Sequence, residues 1–553
     1  MAEKIVSPGV FTKEIDASFL PAAIGEIGAA VIGPTVKGPA MVPTVVESYS
    51  EYQAIFGDVF RNGPPSSTST TYASYLTSVA AQNYLRHSGR LTVVRILDGT
   101  FTGATSNIPT GSGNLGTAFT LNTIADGAVM NNTSSMGQKN NILNSGSKDN
   151  LRWEVTSRND AKGTFSLLIR RGDDSIKRKQ ILETWNNLSL DPNAPNYISK
   201  VIGDSSVTIV DSGGSDPFLQ YSGSYPNKSK YVYVTNPNNT VDYLDENGSI
   251  RVNALSQSLP IVGSGSWDGS FSGGDNGYSG FDSLGHRQGT YVGDVNLYED
   301  IDGSDSQGFA LTAITAEDGG TAYIDALNLL KNDDEYDINM ILVPGIVDNL
   351  AAAHTGIITK AIDVCEARGD CFLIYDAVEY GTTSISTVTA KVNERDSNYA
   401  ATYWPWVQIN EANTGQNKFV PPSTVMCGIY AFNDKVAAPW FAPAGLNRGG
   451  LDNVIQAERK LTHANRDDLY EANVNPIATF PGQGVVVWGQ KTLQKKASAL
   501  DRVNVRRLMI KVKKFIAASS RFLVFEQNTT TTRQRFLNIA NPYLEQVQAQ
   551  SGL

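Results

Sequence analysis

Cysteine and histidine are the residues of this sequence that could support the most specific chemistry. Cys365 and Cys371 have five residues between them, and with only His354 nearby a zinc site would need more ligands. Cys427 is isolated, and neither CxxC nor HExxH occurs in the 553 residues. The favoured interpretation is buried free thiols, and an odd, sparse cysteine count is typical of a reducing compartment. The sequence therefore predicts no metal and no cofactor.

Three further stretches match known ligand motifs only in part. Asp300–Asp305 begins like a calcium loop, but position six is Asp305 and position twelve is Leu311, which cannot bind a cation. A solvated acidic turn is favoured, and an irregular Ca²⁺ or Mg²⁺ site stays open. The Gly- and Ser-rich run 263–280 lacks the Lys-Ser or Lys-Thr of a phosphate loop, so it predicts a flexible loop. Arg171-Gly172-Asp173 predicts a turn, and no carboxylate pair has a spacing that assigns acid and base roles.

Positive charge is concentrated near the C-terminus. Residues 491–514, the basic segment, contain nine Lys and Arg against one acidic residue, Asp501, while the whole chain has a net charge of −10. This asymmetry favours contact with an acidic surface. A solvated helix face is an equal alternative, and a DNA contact is less favoured because no groove-reading motif accompanies the charge.

The elements that would position these residues alternate between strand and helix, which predicts a parallel or mixed sheet covered by helices. Predicted strands are 91–97, 165–170, 231–234, 338–345, 371–376, 399–409 (with Pro405 at an edge or bulge) and 485–489. Predicted helices are 48–56, 69–87, 348–368, 451–463, a helix with Val505, Leu508, Met509, Val512, Ile516 and Ser519 on one face, and 530–550 kinked at Pro542.

The predicted fold class is mixed α/β and β, in several domains. Residues 1–22 form an extended arm, and residues 23–98 with 325–490 form an α/β body. Residues 99–324 form β-rich insertions that protrude from the body, and residues 491–553 form a helical segment. The longest apolar stretch near the N-terminus, Ala22–Pro34, is interrupted by Glu26 and too short for a bilayer. The start has no signal-peptide pattern, so a soluble protein made inside the cell is expected.

Ordered sequence blocks resemble the sheath proteins of contractile-tail bacteriophages. The resemblance is carried by Ser7-Pro8-Gly9-Val10, IGPTVKGP at 32–39, LTVVRILDG at 91–99, Asn187–Pro192, Val474-Asn475-Pro476-Ile477 and the densest block, VVVWGQKTLQ through Phe522–Asn528. These blocks follow one another in the family's order from residue 7 to about residue 550. In this family the chain usually continues from there into a strand, a helix and a strand, so the segment 491–553 is expected to be incomplete.

The resemblance implies a non-enzymatic tail sheath subunit of a virion, assembled in the host cytoplasm without cofactor. It implies a helical homo-oligomer around an inner tail tube, contacts with baseplate and tail terminator proteins, and contraction for genome delivery. We expect Val10, Phe11, Thr12, Lys13, Glu14 and Ile15 to add a strand to a neighbouring subunit. We expect Lys495, Lys496, Arg502, Arg506, Arg507, Lys511, Lys513 and Lys514 to face the tube or a neighbour. Neither membrane insertion nor direct nucleic-acid binding is expected.

Three alternatives stay open at this point. The sheath of a phage-derived contractile injection particle would have the same mechanics without a genome to deliver. A particle-associated carbohydrate hydrolase would require paired carboxylates in a concave pocket. An adhesin would place its binding loops at 263–280.

Overall fold

A computed structural model describes residues 28–62, 71–97, 99–111, 116–132, 143, 145–175, 177–214, 216–241, 243–247, 249, 259–262, 269–277, 298, 300–311, 319–411 and 414–552. The predicted arm, Val10–Ile15, and parts of the run 263–280 lie outside these ranges. The chain divides into two compact units, Gly28–Ile510 and a second unit that combines Met1–Ile27 with Lys511–Leu553.

The elements before residue 98 and after residue 318 build the α/β body. The first group comprises β1 (Gly28–Gly33), β2 (Thr44–Val46), α1 (Tyr49–Phe56), β3 (Phe60–Asn62), β4 (Thr71–Ala73), α2 (Leu76–Leu85) and β5 (Leu91–Arg95). Between the two groups lie β6 (Phe101–Pro109), β7 (Thr117–Asp126), β8 (Leu151–Asn159), β9 (Thr164–Arg171), β10 (Ile181–Ser189), α3 (Ile198–Ile202), β11 (Ser206–Val210), β12 (Phe218–Ser222), β13 (Val232–Thr235), β14 (Asp275–Asn276), β15 (Asp305–Ser306) and β16 (Phe309–Ala310).

The remaining elements follow in chain order and complete the body before they reach the C-terminal helices. They are α4 (Gly319–Leu329), β17 (Ile338–Val347), α5 (Ala352–Arg368), β18 (Phe372–Asp376), α6 (Ile385–Val392), β19 (Ala400–Trp404), β20 (Val407–Glu411), β21 (Gln416–Val420), α7 (Ser423–Val436), β22 (Val454–Ala457), α8 (His463–Glu471), β23 (Asn475–Phe480), β24 (Gly484–Val487), α9 (Val503–Ser520) and α10 (Thr530–Ala549).

Eight of the described strands form one sheet in the order β2-β5-β1-β17-β18-β19-β23-β24. The inner neighbours pair in parallel, and the two outer strands, β2 and β24, pair antiparallel. Alternate residues of β1 enter different cores: Ala30 and Ile32 pack with α4, α5 and α6, whereas Ala29 and Val31 pack with α1, α2 and α7. The sheet is therefore covered by helices on both faces, and the predicted mixed α/β class is confirmed.

Residues 101–310 are rich in antiparallel strands. Two sheets, β13-β7-β6-β14 and β10-β9-β8, share one apolar core in which the rings of Phe119 and Phe165 stack at 5.7 Å. The indole of Trp153 donates to Ser106 Oγ at 2.7 Å, which satisfies its buried N–H. This β-rich region follows β5 in the chain and precedes α4 and β17, so it is inserted between two segments of the body.

Buried polar contacts join the inserted region to the body at three places, which are Arg95 with Asp126, Gln307, and Asp325. Arg95 Nη1 donates to the backbone oxygens of Gly38 and Asp126 at 2.6 and 2.8 Å. The Asp126 carboxylate accepts from Ala40 N, and burial raises its pKa to about 6 against the opposing effects of that hydrogen bond and of Arg95. Gln307 accepts from Leu76 N at 2.7 Å, at the start of α2, and donates to Pro344 O at 3.1 Å.

Asp325 of α4 makes the third of these contacts. Its carboxylate accepts from Ser212 Oγ at 2.6 Å and from Gly213 N at 2.9 and 3.0 Å, in the turn between β11 and β12. Burial raises the pKa of Asp325, because its charged form loses water that these donors replace only in part. The β-rich region is thus held to the body at several positions along the chain.

Two sequence-based assignments in the body are wrong. Residues 451–463, predicted as a helix, contain strand β22, which pairs with β20. The helix begins only at His463, where Thr462 and Asn465 form a capping box. The single strand predicted for 399–409 is two strands in different sheets, β19 and β20. Pro405 separates them because it lacks the N–H that a continuous strand would use.

Other predicted elements are present with shifted ends. Ser48 caps α1 by accepting from Glu51 N, as its position before the helix indicated. Helix α2 begins at Leu76 rather than residue 69, because Thr71–Ala73 form a strand first. Helix α5 begins at Ala352 rather than residue 348. In the residues that the structure describes, no helix is both long and apolar enough to cross a bilayer.

Candidate assembly surface

The first part of the basic segment is a loop closed at its base. Lys491 and Arg502 form an antiparallel bridge, with Thr492 N donating to Asp501 O at 3.0 Å and Val503 N to Gln490 O at 2.9 Å. Leu493 is buried, and its N–H donates to Ala400 O at 3.1 Å, which attaches the loop to the start of β19. The loop therefore presents its charged residues from a fixed base.

Lys495 and Lys496 are exposed in this loop, and their contact with the tube or a neighbour stays a prediction. The backbone N–H of Lys495 donates to Asp396 at 3.0 Å, so the chain is held while the side chain extends outward. Arg502 is half-buried, lies 5.5 Å from the Tyr470 ring centroid and is 3.3 Å from Asp501. Its charge is thus shared with groups of its own chain.

Arg506 and Arg507 are buried, which corrects the expectation that they face the tube or a neighbour. They are 4% and 6% exposed. Arg507 Nη2 donates to Asp434 of α7 at 2.5 Å, and its guanidinium lies 4.7 Å from the Tyr430 ring centroid. Burial alone would lower the pKa of Arg507, but Asp434 raises it above its ordinary value. These contacts brace α9 against α7.

Arg506 makes a different set of contacts. Its guanidinium carbon lies 4.0 Å from the centroid of the Tyr399 ring, and Nη2 donates to Asn398. Burial lowers the pKa of Arg506, and the opposing contact with Tyr399 is weaker. Arg506 is therefore a structural contact between α9 and the loop that precedes β19.

The first turns of α9 bury two arginines beside apolar residues. Val503, Arg506, Arg507 and Ile510 are buried at spacings of three, one and three residues. Of the predicted stripe, Leu508, Val512 and Ser519 are buried, whereas Met509 is exposed. The apolar stems of arginine can cover aromatic surface while the guanidinium finds polar partners. The number of positive charges does not indicate which of them are buried. The spacing does, because Val503 lies three residues before Arg506 and Ile510 lies three residues after Arg507, on neighbouring positions of one helix.

Lys511, Lys513 and Lys514 belong to the second unit. Lys511 and Lys513 are exposed and Lys514 is half-buried. In this unit the rings of Phe515 and Tyr543 stack at 3.7 Å, which joins the C-terminal half of α9 to α10. Helix α10 extends from Thr530 to Ala549, within one residue of the predicted range, and Pro542 lies inside it.

The carboxyl edge of the parallel sheet is where α/β folds usually bind ligands, and its charged groups are held by their own chain. Asp348, after β17, accepts from Arg395 at 2.6 and 2.7 Å. Asp376, at the end of β18, accepts from Ser423 Oγ at 2.5 Å and Ser423 N at 3.0 Å, and burial raises its pKa to about 7. His354 accepts from Val347 N at 3.2 Å, and burial lowers its pKa to about 4.

A cleft of about 750 Å³ between α1 and the β-rich region is the place to test the hydrolase alternative. Two of its lining residues are carboxylates, Asp58 and Asp149. Oδ2 of Asp58 accepts from Gln53 Nε2 at 2.9 Å, and Oδ1 of Asp149 lies 3.7 Å from Nζ of Lys37. Burial raises the pKa of Asp149 while Lys37 lowers it. Each carboxylate has its own structural partner, which does not favour an acid and base pair.

The remaining sequence motifs have structural roles. Cys365, Cys371 and Cys427 are buried free thiols, with the first two sulfur atoms 3.4 Å apart. Asp302 accepts from Ser304 N within the predicted acidic turn. Arg171 and Asp173 pair at 2.5 Å across the turn that follows β9. Among the described residues, no group of three or more His, Cys, Asp and Glu could hold a metal ion.

Comparisons show which known proteins this chain is similar to. The fold aligns with the crystal structure of the sheath tail protein from Listeria innocua, with a TM-score of 0.51 and 11% identity, covering 95% of this chain and 85% of that one. Residues 316–493, the C-terminal part of the body with the start of the basic segment, match the phage tail sheath protein central domain.

Two relatives of known name are also tail sheath proteins. The tail sheath protein of Vibrio phage KVP40 is 36% identical over 170 residues, or 31% of this chain and 24% of the relative. That of Enterobacteria phage T4 is 26% identical over 250 residues, or 42% of this chain and 37% of the relative. The chain thus spans 24% and 37% of the lengths of these two proteins. The predicted relationship to the contractile-tail phage sheath family is confirmed, with its central domain at residues 316–493.

Proposed function

We propose that this chain is a structural subunit of a contractile tail sheath. It polymerises helically around an inner tail tube and contracts to drive the tube through a host envelope for genome delivery. The observation that carries the proposal is the match of residues 316–493 to the sheath central domain. Contraction draws its free energy from conformation, because a contracted lattice that buries more interface is favoured in every subunit at once.

The proposed partners follow from this role. They are further copies of the chain in the sheath lattice, the tube protein, and the baseplate and terminator proteins at the two ends of the tail. The subunit is neither an enzyme nor a membrane protein, acts without cofactor, assembles in the host cytoplasm and remains in the virion. The β-rich region between β5 and α4 is the outward insertion, and residues 491–553 form the inner domain nearest the tube.

The linking arm at Val10–Ile15 is part of the proposal. An arm that adds a strand to a neighbour is held by backbone hydrogen bonds, which persist while side-chain faces slide past one another. Replacing Thr12 with proline removes a backbone donor from such a strand. The Thr12→Pro variant should remain folded and monomeric at concentrations at which Thr12→Val polymerises. Equal polymerisation of the two variants would contradict the role of the arm.

Negative-stain electron microscopy of the purified chain tests the proposed function. Hollow striated tubes are expected, alone or on added tube protein. Monodisperse particles under all conditions, together with turnover of glycans, would instead support the hydrolase. The sheath of a contractile injection particle would form the same tubes, so the genes that flank this one are needed to distinguish it from a phage tail.

A further inference from the structure

The loop between α9 and α10 exposes large apolar side chains. Residues 521–529, here called the aromatic loop, include Phe522, Val524 and Phe525, which are 50%, 60% and 103% exposed. On the following helix, Phe536 and Leu537 are also exposed. Apolar side chains that are grouped and exposed in this way mark interaction sites.

The aromatic loop has a defined backbone structure. Val524 N donates to Arg521 O and Glu526 N to Leu523 O, each at 3.2 Å. Thr529 caps α10 by accepting from Thr532 N at 3.2 Å. Phe525 has a φ of 71°, in the left-handed region that a bulky residue rarely adopts. The fold thus holds Phe525 outward in an unfavourable backbone conformation, which suggests that its exposure has a use.

The net charges of the two units indicate which partner this surface would bind. Residues 511–552 contain six Lys and Arg against two Glu, a net charge of +4. The other unit, 28–510, contains 37 Lys and Arg against 49 Asp and Glu, a net charge of −12. A second copy of the chain therefore offers a unit of opposite net charge to the unit that carries the loop. Contacts between unlike surfaces of identical subunits generate open helical polymers.

We propose that the aromatic loop is an apolar anchor that docks on the 28–510 unit of a second copy of this chain, with Phe525 at its centre. This inference rests on the proposed sheath function, and it names one of the contacts that hold the lattice together. Aromatic side chains at the centre of an interface commonly carry most of its binding free energy, while the surrounding charges guide association.

The experiment compares Phe525→Ala with Phe218→Ala, both prepared in the full chain. Phe218 is 54% exposed on β12, so its replacement removes an equivalent side chain from a different surface. Sedimentation and electron microscopy give the critical concentration for polymerisation, and circular dichroism and thermal unfolding check the fold. We expect Phe525→Ala to raise the critical concentration about tenfold or more, Phe218→Ala to leave it unchanged, and both variants to unfold like wild type.

Each outcome separates this inference from the proposed function. If wild type and Phe525→Ala polymerise equally, the anchor is refuted while the sheath function stands. If the variant polymerises normally but fails to bind preformed tubes, the loop contacts the tube and not a second copy. If wild type never polymerises, the sheath function itself fails.

Discussion

The buried pair Arg507–Asp434 allows the strongest test of how the basic segment is used. The two side chains differ in burial, with 6% of the Arg507 side chain and 29% of the Asp434 side chain exposed. Arg507→Met leaves a carboxylate that water can reach, so we expect a loss of about 2–3 kcal/mol, including the contact with Tyr430. Asp434→Leu leaves a guanidinium without its charge partner in the interior, and should cost about 3–5 kcal/mol.

The double variant completes the cycle. Replacing both members of a buried pair by apolar residues of similar volume is often neutral, so Arg507→Met with Asp434→Leu should be much closer to wild type than the sum of the single losses. Differential scanning calorimetry measures the effect, at only about 1 °C in Tm for each kcal/mol, because the unfolding entropy of a unit as long as Gly28–Ile510 is about 1 kcal/mol/K. Lys513→Glu, on an exposed residue of the same helix, is the control and should change stability by less than about 0.5 kcal/mol. If each single variant lowers the free energy of unfolding by less than about 1 kcal/mol, the Arg507–Asp434 pair does not stabilise the contact between α9 and α7.

Three further predictions concern other sites. The pKa of Asp376 is raised to about 7, so its contribution to stability is complete near pH 4 and is lost as the pH rises through 7. Wild type should therefore lose up to about 4 kcal/mol from pH 4 to pH 8 relative to Asp376→Asn in pH-dependent urea unfolding, and parallel profiles would contradict this. Gln307→Leu leaves Leu76 N without its acceptor and should lower the free energy of unfolding by about 1–3 kcal/mol, whereas an unchanged urea midpoint would show that the contact is dispensable. Lys495→Glu combined with Lys513→Glu should weaken co-sedimentation with tube protein at low salt and have little effect at high salt. Equal binding of the variant and wild type at low salt would show that these lysines do not contact the tube.

The body could be predicted largely from local patterns. Leu91–Arg95 and Phe372–Asp376 are short apolar runs with β-branched or aromatic residues, and neither is an edge strand of the sheet. Ser48 identified the start of α1 because its hydroxyl caps the helix. Such elements depend on their own sequence, so periodicity and capping are sufficient to find them.

The errors occurred where distant parts of the chain decide the structure. Residues 454–457 form a strand because β20 offers a partner, and a window of local sequence cannot show that partner. The capping box at Thr462 was a local indication that the helix starts later. Likewise, a run of positive charge does not reveal which guanidinium groups are buried, since Arg507 depends on Asp434 in another helix.

The division of the basic segment has a consequence for assembly. Arg506 and Arg507 stabilise their own subunit, and Arg502 is partly engaged by Tyr470 and Asp501. Lys495, Lys496, Lys511 and Lys513 are the exposed members of the predicted set. Ion pairs between exposed lysines and an acidic partner contribute only about 0–1 kcal/mol each, so such a contact can release during contraction. A buried, hydrogen-bonded pair such as Arg507–Asp434 is lost only with the local fold, so the first turns of α9 stay attached to α7. The same short segment can therefore combine a permanent internal brace with a reversible external contact.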